Sequence, residues 1–436
     1  MQYRQLLHPA ILSSALLVCL SASSPSGAQA LAPFGPLQRG ERAVEAREKM
    51  TSSETIEARK TEKGVSGIPS FEIEVAEKTS VVLTGTSMAP SRTTPGIMLW
   101  SGNVTWLKQR GDRLLRGVSG VATLLTDQAW KILGGKISSP SGTFLLQRME
   151  GKLIVREVLP SSYRPEHPGM KFEGGEPRQT KSLILEAGTT SLPSMKPASP
   201  PGNIQQMVQI GVGIFYTDAA RAANESGPSS MSIKLLLETE ARHVTEYFKA
   251  SGINATITAT VEPTKYAEPS SGVKDALNCL MDAGCLPQVH AQRQRNKYDI
   301  VVLVIRSKDV CGEAAHQGDK WDDKTMAFAV VDMSCILKQD SLAHELGHLL
   351  GSRHEIESDR SNTPYPYAHG YVITNKRYSD LMSVIGPPPY DRIRIQVYSN
   401  PSVKQTIEDK EYSMGSATAD SASVINQTAK TVAAFY

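Results

Sequence analysis

Long apolar runs are missing from this 436-residue chain. Beyond a short stretch near its start, nothing approaches the ~20 apolar residues that a membrane-spanning helix requires. An excess of charge is missing too: with a net charge of +3 and 21% charged residues, nothing points to nucleic acid as a partner. No cysteine occurs from Leu20 to Asn278, and no CxxC pair occurs anywhere, which argues against a second, cysteine-bound zinc. Internal repeats and the glycine-aspartate nonapeptides that hold calcium are also absent. What is left is an ordinary globular composition, 40% hydrophobic, with room for two domains.

The start of the chain reads as a secretory signal peptide over residues 1–30. Arg4 gives a lightly basic beginning, an apolar run extends from Ala10 to Leu20, and Ala28-Gln29-Ala30 offers a small-x-small cleavage site. Cys19 does not read as a lipid anchor, because Val18 stands where a small residue is wanted. An exported chain with four remaining cysteines, Cys279, Cys285, Cys311 and Cys335, is expected to form two disulfides. Three pairings are possible. The favoured one closes a short loop from Cys279 to Cys285 and joins Cys311 to Cys335, just ahead of the stretch described next.

That stretch is His344-Glu345-Leu346-Gly347-His348-Leu349-Leu350-Gly351-Ser352-Arg353-His354. On a helix, His344 and His348 project from one face and can share a zinc ion. Glu345 then leans over the open side of the metal, placed as a general base toward water rather than as a ligand. Gly351 can adopt positive φ, end the helix and swing His354 back to the metal. Three imidazoles with one position left open describe a catalytic zinc site, one Zn2+ per domain, since a structural site would be closed by a fourth protein ligand. A bare HExxH arises by chance in about one chain in a hundred of this composition; adding the glycine and third histidine lowers that to on the order of one in 10⁵.

HExxHxxGxxH is the signature of the metzincin metallopeptidases, and this chain resembles that family over roughly residues 204–436. Met382, in Ser379-Asp380-Leu381-Met382, matches the family's methionine turn beneath the metal. Tyr367-Ala368-His369-Gly370-Tyr371 and Tyr398-Ser399-Asn400-Pro401 look like secreted reprolysin-like and peptidyl-Asp metalloendopeptidases. Glu355 after the third histidine is as in astacins, yet Val384 stands where astacins carry a metal-binding tyrosine, so no tyrosine ligand is carried over. In such enzymes the wall of the pocket for the residue after the cut lies downstream of the methionine turn. Arg392 and Arg394 are there, and one of them could pair with an acidic side chain, although surface arginines on a strand would need no such role.

The implied fold class is α+β: a metzincin-like catalytic domain at 204–436, with a mixed, mostly parallel sheet and packed helices, preceded by a propeptide at 31–170. Residues 31 to about 65 read as a loose or partly helical lead-in, and the propeptide is β-rich from about 71, with Gly134-Gly135 as a turn between strands. A Gly/Pro/Ser/Thr-rich linker at 171–203 is the expected place of maturation cleavage, between Arg178 and Asn203. In the catalytic domain, strands are expected at Val208–Tyr216, Asn254–Val261, Tyr298–Ile305 and Met326–Val331, the third buried on both faces. A helix from Ile233 ends at Gly252, and the cleft is expected between the metal helix and the last strand.

A propeptide without cysteine cannot block zinc with a thiolate, so latency falls to a carboxylate, to a histidine such as His167, or to steric cover. His369 is expected to hydrogen-bond rather than ligate, and His316 with Glu313 and Asp319 to be a polar loop. The function implied is a secreted zinc endopeptidase acting on protein or peptide substrates, with its own propeptide as inhibitor. The alternative is an exported binding protein whose metalloprotease-like domain holds structural zinc; Glu345 argues against it, since a structural site has no use for a base.

Overall fold

Apolar and polar residues alternate from Phe71 onward, so each strand has one face that must be covered, and the chain covers it by closing the sheet on itself. The strands are β1 (Arg42–Met50), β2 (Phe71–Ala76), β3 (Thr79–Pro90), β4 (Met98–Arg110), β5 (Arg113–Thr126), β6 (Ile132–Ser139), β7 (Gly142–Met149) and β8 (Lys152–Val158). They run antiparallel, and β1 pairs with both β2 and β8 to complete a barrel. Phe71, Leu83, Trp100, Val104, Leu124 and Phe144 fill its interior. The two buried indoles keep partners, Trp100 donating to Pro69 O at 2.8 Å and Trp106 to Ser139 Oγ at 2.7 Å.

The computed structural model describes residues 42–50, 67–76, 79–110, 113–140, 142–149, 151–167, 207–225, 231–269, 272–373, 377–407 and 410–436. The expected signal peptide at 1–30, the linker at 171–203 and its cleavage lie outside the described residues. Two expectations for the N-terminal region are corrected. Residues 42–50, read as part of a loose lead-in, form β1, because closing the barrel is a long-range pairing that local polarity does not reveal. Gly134-Gly135, read as a turn, lies inside β6. Gly135 has φ of +148°, and a Cβ there would come within 2.4 Å of Thr123 O, so the glycines let β5 and β6 approach.

The second half alternates strand and helix. Its elements are β9 (Val208–Tyr216), α1 (Asp218–Glu225), α2 (Ile233–Ala250), β10 (Ala255–Pro263), α3 (Val273–Met281), α4 (Pro287–Asn296) and β11 (Ile300–Ile305). Then come β12 (Gly312–Ala314), β13 (Phe328–Asp332), α5 (Met333–Gln339) and α6 (Ser341–Leu349). The sheet order is β10-β9-β11-β13-β12, with the first four parallel and β12 antiparallel to β13. All six residues of β11 are buried. Ile300, Val302 and Val304 pack with α2 and α6, while Val301, Leu303 and Ile305 pack with α3 and α4. The chain thus covers both sheet faces and is mixed α+β.

The edge of the sheet is β12, three residues without any apolar pattern; α6 packs against both β12 and β13, the last long strand of this sheet, which lies one place inside. The short helix α5, also unforeseen, stands between β13 and the metal helix. Beyond α6 lie the pairs β14 (Tyr378–Ser379) with β15 (Ile393–Arg394) and β16 (Asn400–Ile407) with β17 (Lys410–Met414), followed by α7 (Ser421–Val432).

Helix α2 also meets the barrel, through Leu235 against Leu99 and Leu125 and through polar groups. Ser91 Oγ and Arg92 N each lie 2.7 Å from a carboxylate oxygen of Glu238, and Arg242 Nε donates to Ser101 Oγ at 2.8 Å. Lys136, on β6 and only 1% exposed, places its ammonium 2.6 Å from Asp340 and 3.2 Å from Glu240.

Candidate metal centre

Helix α6 is buried along its whole length and holds His344, Glu345 and His348 one turn apart or adjacent. Its carbonyl ladder stops at Leu350, and Gly351 takes φ of +97°, where a side chain would be strained. The chain then turns so that His354 faces the other two rings. Their Nε2 atoms lie 3.2 Å (His344 to His348), 3.0 Å (His348 to His354) and 3.3 Å (His344 to His354) apart. Nitrogens at ~2.0–2.1 Å from a tetrahedral zinc would be about 3.3 Å from each other, so the spacing fits a single ion.

The outer nitrogens fix the tautomers. His344 Nδ1 donates to Leu381 O at 2.7 Å and His348 Nδ1 to Ser352 O at 3.0 Å, which leaves each Nε2 lone pair facing inward. Burial lowers all three imidazole pKa values, His348 to about 3, so the rings are neutral and ready to donate to a cation. His369 lies outside the cluster and donates from Nδ1 to His354 O at 2.8 Å, holding the third ring's backbone. His316 is buried rather than solvated, and its Nδ1 accepts from Gly318 N at 3.1 Å; burial pushes it down to about 4.

Glu345 is 0% exposed, and no side chain hydrogen-bonds its carboxylate; the backbone N–H of Ala314 is the one donor that acts on it. It fits against the edge strand because residue 312 is glycine; a Cβ there would come within 2.5 Å of Glu345 Oε1. Burial first, then the nearby Glu166 and Glu313, push its pKa well up. A buried carboxylate without a cationic partner, beside inward-facing imidazoles, is what a divalent cation would compensate.

Met382 sits under the metal helix, fully buried. A Cβ on Gly347 would come within 2.2 Å of its sulfur, so the glycine in the motif's centre makes room for the methionine. The turn is built by Asp380, which sequence reasoning missed: Oδ1 accepts from Met382 N, Ser383 N and Ser383 Oγ, and Oδ2 from Ser399 N. Tyr398 OH donates to Ala343 O at 2.7 Å and fixes α6 from below.

Arg392 and Arg394 are not surface arginines; both are buried. Arg392 Nη1 donates to Glu355 Oε1 at 2.8 Å. Arg394 Nη2 donates to Glu166 Oε2 and to Ser383 O, each at 2.8 Å, and Nη1 donates to Gln339 O. The paired acids explain the burial, since each compensates the charge of its guanidinium, although both Nε donors are left without a partner. The cysteines pair Cys279 with Cys285, between α3 and α4, and Cys311 with Cys335, between the entry to β12 and α5.

Sequence reasoning missed the full content of one more segment. His167 Nε2 lies 2.8 Å from His344 Nε2, and His167, His344, His348 and His354 form the metal-competent group among the described residues. His167 had been noted only as one option for latency. Glu166 had no signal in the sequence, because its partner Arg394 is 228 residues away.

Residues 239–355 match the model for Metallo-peptidase family M12B Reprolysin-like, a span running from α2 to just past the third histidine. The matched span is reprolysin-like, and together with the relatives described next it indicates a metalloendopeptidase. Among curated relatives it is 23% identical to a peptidyl-Asp metalloendopeptidase of Stenotrophomonas maltophilia strain R551-3, over 88% of this chain and 87% of that one. It is 24% identical to a protein of the same name from Xanthomonas campestris pv. campestris, over 96% and 97%. A further one, from S. maltophilia strain K279a, is 28% identical over 54% of this chain and 48% of its own length.

Proposed function

We propose that the chain is an exported zinc endopeptidase made as a zymogen, with Glu345 as general base and a preference for an acidic residue after the cut. The carrying observation is the set of three Nε2 atoms, 3.0 to 3.3 Å apart, beside the buried Glu345 carboxylate. His344, His348 and His354 would hold the ion. Zinc in such a donor set supplies Lewis acidity toward water and the scissile carbonyl. Glu345 takes the proton of the attacking water and delivers it to the leaving amine nitrogen. Met382 gives the metal an apolar floor and is not a ligand.

The acidic preference is supported by Arg394, which already holds a carboxylate, that of Glu166. The curated relatives, named for peptidyl-Asp cleavage, point the same way. Arg392 is the weaker candidate, because Glu355 neutralises it inside the fold. Export is supported by the signal-like residues 1–30 and by two disulfides. Residues 31–170 then serve as propeptide, removed by cleavage between Arg178 and Asn203; a mature N-terminus upstream of residue 150 would refute that boundary.

Glu345→Ala is expected to keep one zinc per chain and the native circular dichroism, while hydrolysis of a denatured protein falls by at least the ~10²–10⁴-fold of a general base. Wild-type turnover in that variant would refute the assignment. A wild-type chain that binds zinc but shows no chelator-sensitive hydrolysis would instead favour a binding protein with structural zinc.

A further inference from the structure

We propose that Pro165-Glu166-His167 is a built-in occupant of the cleft, with His167 as fourth nitrogen donor to the metal and Glu166 filling the subsite for acidic side chains. The proposal rests on the zinc-endopeptidase reading above.

The segment leaves the barrel after β8 and is then held by the other half of the molecule. Arg164 Nη1 donates to Asp332 Oδ1 at 2.8 Å, and its backbone is clasped by Gln339, which accepts from Arg164 N at 2.7 Å and donates to Arg164 O at 2.9 Å. Cys311 N and Gly312 N, where the edge strand begins, donate to Pro165 O and Glu166 O at 2.9 and 3.1 Å. These bonds use the edge amides that an extended peptide would otherwise take. They also fix the two side chains that follow.

Glu166 enters the interior fully buried, with Oε2 2.8 Å from Arg394 Nη2 and 3.0 Å from Ile385 N. His167 covers the three-histidine face, its ring centroid 5.0, 5.6 and 4.6 Å from those of His344, His348 and His354. Its Nδ1 is 4.0 Å from Glu345 Oε1, so the same imidazole separates the base from any water. A thiolate is not needed: neutral imidazole is an ordinary zinc ligand, and four of them close the coordination that catalysis requires open. One short segment thus takes the metal's free corner, the specificity cation and the edge amides together. Cutting the chain in the linker would leave this segment in place, so activation also requires it to be withdrawn.

The test uses the full chain carrying Glu345→Ala, to stop self-cleavage, with and without His167→Ala, each loaded with one Zn2+ or Co2+. With His167 present, the Co2+ visible spectrum should not respond to acetohydroxamate, which needs a free corner. Without it, hydroxamate should bind at least tenfold more tightly, and added imidazole should restore the original spectrum. Equal melting temperatures of the two metal-free chains show that folding is intact. Should the alanine variant fail to fold, the His167-containing chain decides alone: hydroxamate binding there at the affinity of an open zinc site overturns the proposal. Equal hydroxamate affinity in two chains that each bind one metal sinks the inference and leaves the peptidase reading standing. If neither chain binds a divalent cation, both fail.

Discussion

Among the contacts of the N-terminal region with the rest of the molecule, two polar joints differ in chemistry. At the barrel wall, Lys136 inserts a cation between Asp340 and Glu240, while Ser91, Arg92 and Ser101 exchange hydrogen bonds with Glu238 and Arg242 of α2. At the cleft, Glu166 and His167 insert a carboxylate beside Arg394 and an imidazole beside three others. The first joint touches nothing that reacts. The second occupies atoms that catalysis would use under the function proposed above. The wall can therefore hold the barrel in place while the segment beyond it governs the site, and each joint can be weakened without the other.

The largest effect on stability is expected at the wall. Lys136→Met removes the cation and leaves Asp340 and Glu240 buried without it, a change worth ~3–5 kcal/mol by analogy with broken buried pairs. Burial, the largest cause, raises both carboxyl pKa values, but Lys136 together with His243 at Glu240 and with Tyr247 and Arg394 at Asp340 outweighs it and holds both below their usual range. The unfolded chain therefore takes up these protons at higher pH than the folded one, and the pair's contribution is present above about pH 5 and lost below about pH 4. In the variant burial is opposed only by His243 at Glu240 and by Tyr247 and Arg394 at Asp340, so the folded chain binds the protons more tightly than before and the gain in stability on raising the pH is lost. Urea midpoints of the two chains should accordingly diverge from pH 3 to pH 6. Zinc affinity should stay within about threefold; a parallel loss of zinc would mean that the two joints are one.

What the sequence revealed and what it hid follow the same division between local and long-range. The metal helix, its glycine stop and the third histidine lie within eleven consecutive residues, and their periods and φ requirements are local properties. The six-residue apolar β11 announces burial on both faces in the same way. Barrel closure by β1, the edge position of β12 and the Arg394–Glu166 pair depend on residues far apart in the chain, with no periodic signal at either partner. Arg392 and Arg394 were legible as cations downstream of the methionine turn. That they are buried was not legible, because the acids that permit it are 37 and 228 residues away. Asp380 was in plain view beside Met382, yet its role in gathering three donors appears only once the turn is folded.

The smallest effect, and the sharpest on the cleft side, contrasts the two arginines in the processed enzyme. With the Glu166 segment withdrawn, Arg394 would have no carboxylate partner, whereas Arg392 would keep Glu355. A charge-assisted hydrogen bond is worth roughly 1.5–3 kcal/mol, so Arg394→Met should lower kcat/KM for peptides with Asp after the cut by about 10- to 150-fold. Peptides with Ala at that position should change little. Arg392→Met should lower thermal stability, because it strips Glu355 of its partner, and leave the Asp-to-Ala ratio where it was. Cleavage profiling of both variants on one peptide library separates these outcomes. An unchanged ratio in Arg394→Met would show that the carboxylate of Glu166 sits there to satisfy a buried guanidinium, and that the subsite has no stake in acidic substrates.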